Sequence, residues 1–84
     1  MTPKIISAVA MTNYEVLLTY ETNEKRIFNV EPYLHLGGFS DLKNESMFKT
    51  VKISFDTIEW SNGLDIDPED LYKNSKLLTA ESIA

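Results

Sequence analysis

Apolar and polar side chains alternate most cleanly from Tyr14 to Glu21. Tyr14, Val16, Leu18 and Tyr20 fall on one face, and Glu15, Leu17, Thr19 and Glu21 on the other. A period of two is that of a half-buried strand. Lys4–Met11 is rich in small and β-branched residues and predicts an earlier strand, with Ile5, Ser7 and Val9 on one side and Ile6, Ala8 and Ala10 on the other. Thr12-Asn13 breaks the two apart. Lys25–Val30 predicts a third strand after the polar turn Thr22-Asn23-Glu24, and so short a loop makes the pair antiparallel. Glu31-Pro32 stops that strand, because proline donates no ladder hydrogen bond.

The middle of the chain predicts short pieces. Tyr33–Leu36 reads as one helical turn, Gly37-Gly38 as a flexible break and Phe39–Leu42 as a further turn. Asn44 caps a short helix from Glu45 to about Thr50, burying Phe48 and Val51 with Leu42 and Met47. Lys52–Phe55 and Thr57–Trp60 predict two more strands with Asp56 at the bend; Ile53 and Phe55 share one face, Ile58 and Trp60 another. A tight turn at Asn62-Gly63 follows. Asp67 is then an N-cap and Pro68 the first helical residue. Glu69 and Asp70 complement the helix dipole, and Ile66 with Leu71 forms a hydrophobic staple. This helix should end near Asn74, leaving Ser75–Ala84 as a frayed or partner-dependent tail. The predicted class is α+β: a small, mostly antiparallel sheet of about five strands with short helices and a β-rich N-terminal half.

Composition narrows the functional classes. Eighty-four residues form one domain, with a core over about residues 5–73. Its stability should be modest, on the order of 5 kcal/mol, so self-association would be a natural supplement. There is no cysteine, which excludes disulfides, thiolate chemistry and Cys-based zinc sites and fits a cytoplasmic location. No apolar run reaches the roughly 20 residues of a membrane helix, and the N-terminus does not read as a secretory signal. The net charge of −5 is uneven, with acids concentrated in the C-terminal third. Lys25-Arg26 is the only adjacent basic pair, so direct nucleic-acid binding is disfavoured.

No residue set carries recognisable chemistry. Asp65-Ile66-Asp67 starts like a calcium loop, but Asp70 stands where that loop needs glycine and Lys76 where it needs glutamate. Glu59, Asp65 and Asp67 form a weaker candidate for magnesium or acid–base work, against the alternative of a solvated acidic rim. His35 is the only histidine and has no activated nucleophile beside it in a known pattern. Gly37-Gly38 lacks the following Lys-Ser/Thr of a phosphate loop. No catalytic residue, metal or cofactor is therefore expected. The aromatics are mostly core candidates, Phe55 among them. Tyr33 and Tyr72 are instead candidates for a partner-binding surface, since tyrosine is enriched at interfaces. Glu59 and Asp65 join them as acids without a structural role.

Five blocks follow one another in a recognisable order: Tyr14–Tyr20, Phe28–Leu34, Gly38–Leu42, Phe48–Val51 and Ile58–Tyr72. Together they resemble the bacterial family called domain of unknown function 2442, over about residues 5–73. The last block is the specific one, with Trp60, Asn62, Gly63, Asp67 and Pro68 as its structural signature. Ser61 stands where the family usually has proline, a local change in turn stiffness. The resemblance implies a small α+β fold and no known catalytic residue. Some relatives continue into a helix-turn-helix; others are stand-alone beside another small protein, in arrangements like toxin–antitoxin pairs. This chain stops soon after Tyr72, which points to an accessory, antitoxin-like module docking a small protein partner. The alternative is a DNA-associated regulator component lacking its own helix-turn-helix.

Overall fold

The computed structural model describes residues 2–78. A meander opens the chain: β1 (Ile5–Ala10), β2 (Glu15–Tyr20) and β3 (Lys25–Asn29) pair antiparallel in sequence order. Val16, Leu18, Tyr20 and Phe28 are buried on the inner face, as the alternation predicts. In β1 the expected face is corrected. Ile5 pairs with Tyr20 but Ser7 already pairs with Thr19, so Ile6 is an inserted bulge residue. The pleat flips there, turning Ala8 and Ala10 onto the core and leaving Ile6 and Val9 exposed.

The two meander turns differ. The β1–β2 turn spans Thr12–Glu15, closed by the Glu15 amide donating to the Thr12 carbonyl. Asn13 and Tyr14 both have φ near 60°, the pattern of a type I′ turn. Tyr14 thus sits in the turn and not in β2. The β2–β3 turn is closed by Asn23 donating to Tyr20, with Asn23 at φ 71°, a three-residue loop ending in a left-handed residue.

Short 3-10 turns at Glu31–Tyr33 and Gly37–Lys43 replace the predicted turns and glycine break. The second forms over Gly37-Gly38, where a Cβ on Gly38 would stand 3.2 Å from Leu64. The first α-helix, α1, is shorter than expected, Glu45–Phe48, but Asn44 caps it as predicted, accepting from the Ser46 and Met47 amides. β4 (Lys52–Ser54) and β5 (Thr57–Glu59) form a separate hairpin. α2 (Pro68–Asn74) opens on Asp67, whose carboxylate accepts from the Asp70 amide at 3.2 Å.

The class is α+β with a strand-rich N-terminal half, but the strands divide between two sheets. One is four-stranded, in the order β1-β2-β3-β6, and the other is the β4–β5 pair. The extra strand, β6 (Lys76–Leu77), pairs with Ile27 and Arg26 of β3, inside the stretch expected to be tail. Ser75 before it is buried; residues 79–84 lie outside the described residues. Leu42, Phe48, Ile58, Trp60 and Leu71 all join the core on the inner face of the four-stranded sheet.

Candidate functional site

The Trp60–Tyr72 stretch is structural through most of its length. Trp60 is buried, and its indole N–H donates to the Phe48 carbonyl at 3.0 Å. Gly63 donates to the Trp60 carbonyl at 2.9 Å and has φ 90°, a conformation that favours glycine. The Asn62 side chain accepts from the Leu64 amide and donates to Asp41 at 3.3 Å. Glu59 and Asp65 are paired through the backbone, in an antiparallel bridge. Glu59 is half-buried and Asp65 exposed. Asp67 serves the cap. No three His, Cys, Asp or Glu residues converge closely enough to hold a metal among the described residues.

The two tyrosine candidates are built into the fold. Tyr33 is half-buried between Phe28 and Phe39, with ring centroids 5.5 and 5.7 Å away. Tyr72 is half-buried and donates its hydroxyl to both Glu24 oxygens, at 2.9 and 2.8 Å. Arg26 joins them: it pairs with Glu24 at 2.8 Å, lies 4.3 Å from the Tyr72 ring centroid, and donates to the Ser75 hydroxyl and carbonyl. The Tyr72 hydroxyl, with help from Thr22 and Arg26, holds the Glu24 carboxyl below the usual carboxylate range. Glu24 in return raises the Tyr72 phenol. Beneath them Tyr20 is buried, and its hydroxyl has no hydrogen-bond partner among the described residues. Burial pushes its phenol up to about 12. Arg26, half of the only adjacent basic pair, is consumed by this network and presents no phosphate-binding patch. His35 is exposed and is hydrogen-bonded to no nucleophile among the described residues.

The feature that the sequence concealed is Phe55. It was expected in a strand facing inward with Ile53. Instead β4 stops at Ser54, Ser54 pairs with Thr57, and Phe55-Asp56 is the two-residue tip between them. Phe55 has φ 56° and is 95% exposed. A positive φ at the first central position alone matches a type II′ turn, which ordinarily takes glycine there. Of the four non-glycine residues with positive φ among the described residues, Asn13 and Asn23 are of a type that tolerates it. Tyr14 is anchored, its ring edge-on to Phe48 at 5.5 Å and its hydroxyl on the Lys43 carbonyl at 2.8 Å. Phe55 has almost no contact to offset its backbone. Position alternation placed it in a strand; only the Asp56 bend hinted at a tip.

Asp56 at this tip also lines an open cleft of about 600 Å³, with Thr2, Pro3, Lys4, Glu21, Asp67, Pro68 and Glu69. Four carboxylates face one lysine there. None of the four is in a salt bridge among the described residues. The exposed Phe55 is thus the chain neighbour of one acid of this cleft, whose charge is spread along a surface rather than focused on a point.

The chain belongs to the family described as "Protein of unknown function (DUF2442)", whose model matches residues 5–76. That family carries no recognised catalytic activity to transfer. No curated protein and no solved structure matches the chain. Among the described residues, no helix is long and apolar enough to cross a membrane.

Proposed function

We propose that this chain is a non-enzymatic docking module of the cytoplasm that binds a small basic protein, in the manner of an antitoxin-like accessory subunit. Phe55 carries the reading. A nearly fully exposed phenylalanine on a backbone that prefers glycine is unfavourable for the isolated chain. A partner pocket that encloses the ring offsets both terms. Burying one such side chain is worth roughly 1.5–3 kcal/mol, the scale of an interface hot spot. The neighbouring Glu21, Asp56, Asp67 and Glu69 select a partner whose pocket is rimmed by lysine or arginine. Glu59 and Asp65 extend the acidic character of this third of the chain; Tyr33 and Tyr72 hold the scaffold behind it.

The test is affinity capture from the native host at physiological salt, with wild type and Phe55→Ser as paired baits. The expected result is one stoichiometric basic protein on the wild type that is depleted on the variant. Recovery of no protein, or of the same proteins on both baits, would overturn the proposal.

A further inference from the structure

The four-stranded sheet has a second face. Each helix places its buried residue in the core on the inner side, so no layer of the described residues covers the outer one. Across that outer face Val9, Leu17 and Ile27 stand side by side in register on β1, β2 and β3, and at the β6 edge the row ends in the exposed Lys76, paired with Ile27. Val9 is 49% exposed and the other two are half-buried, outside the core cluster. At one end of β2 the row is flanked by Glu15. At the other end Thr19 pairs with Lys25, whose ammonium leans across onto the Thr19 hydroxyl at 3.4 Å. The β2 column of this face therefore reads negative, apolar, positive. Neither Glu15 nor Lys25 is in an ion pair among the described residues.

We infer that this face is the contact surface for a second copy of the chain. A two-fold axis lying between two such faces and perpendicular to the strands superposes the apolar row on itself. It also reverses the strand direction, so Glu15 of each copy meets the Lys25 ammonium of the other. Over β1–β3 the pattern is self-complementary, as an isologous interface requires; at the β6 edge Lys76 faces its own mate, a like-charge contact that weakens the pair. Two sheets packed this way are of the aligned sandwich type, with the usual rotation of about 30° from sheet twist. Four strands at about 4.8 Å and five residues at about 3.4 Å give a face of roughly 20 by 17 Å. That is about 340 Å² a side, below the size of a stable specific interface and in the class of weak, transient contacts, so the dimer is weak, with a dissociation constant on the order of 10⁻⁵–10⁻⁴ M. It uses a surface separate from the Phe55 tip and stands independently of the docking proposal.

Sedimentation equilibrium of the full chain up to millimolar concentration tests it. The wild type should dimerise reversibly, and more weakly as salt rises. Glu15→Lys and Lys25→Glu should each weaken the dimer about 3- to 10-fold, since symmetry places each charge in two contacts. Combining them, E15K with K25E, should restore the dimer to near its original strength, and both sites are surface positions that leave the core intact. Leu17→Thr should abolish the dimer with the circular dichroism unchanged, while Phe55→Ser should dimerise like wild type. A monomer at millimolar concentration, a double swap no better than the single ones, or a dimer insensitive to Leu17→Thr would overturn the inference.

Discussion

Phe55 is where stability and the proposed docking role pull apart most sharply. Phe55→Gly relieves the positive φ and removes a ring with almost no contacts. Against the added freedom of glycine in the unfolded chain, the net gain should be about 0.5–1 kcal/mol, a rise of a few degrees in melting temperature by calorimetry. The opposite sign is expected at Asp67. Its carboxylate holds the Asp70 amide, and Asp67→Ala should cost about 1 kcal/mol in urea unfolding. Trp60 is the most sensitive position. Trp60→Ala removes the buried ring and orphans the Phe48 carbonyl, a loss of about 3–5 kcal/mol, enough to unfold much of so small a domain. Trp60, Gly63 and Asp67 were legible in the sequence because their roles are set by their own type and their immediate neighbours. Phe55 was not: apolar residues are usually inside, and nothing local marks the exception.

At the scale of elements, capped helices and hairpins followed from sequence, while what joins them did not. The Glu24–Arg26–Tyr72–Ser75 network ties the β2–β3 turn to the end of α2 and the start of β6, across sequence separations of 48 and 49 residues. No periodicity spans that distance, so Ser75 onward reads as tail and Tyr72 as a free surface ring. The Ile6 bulge was equally hidden, because two mildly apolar faces leave the register open. The network predicts a pH dependence. Glu24 is lowered in the folded state, so its contribution is present above the unfolded carboxylate value and lost as pH falls through the folded one. Tyr20 and Tyr72 are raised, so theirs is complete below about pH 10, the unfolded phenol value, and is lost as pH climbs. For Tyr20 that loss runs from about 10 to about 12. Tyr20→Phe removes an orphan buried hydroxyl and should leave neutral stability equal or higher. It should also shrink the alkaline loss seen in denaturant titrations at pH 9 to 12. Tyr72 keeps the remainder.

For the whole molecule, the core and the proposed docking surface follow different rules. The core gathers one face of the four-stranded sheet, the helices and the small hairpin; of the family's signature residues it holds Trp60, while Asn62, Gly63 and Asp67 are exposed and shape the turn and the helix cap. The acidic C-terminal third, visible from composition alone, becomes a surface only once Glu21 from the meander and Asp56 from the hairpin meet Asp67 and Glu69. Charge at such a rim acts mainly on encounter rate and its salt dependence, whereas a ring enclosed by the proposed partner would act on affinity. The most direct test is therefore a calorimetric titration of the captured partner against wild type and Phe55→Ser at physiological salt. Loss of the ring should weaken binding by roughly 10- to 100-fold with the melting temperature of the free chain no lower than wild type. Equal affinities for the two proteins would contradict a docking role for Phe55.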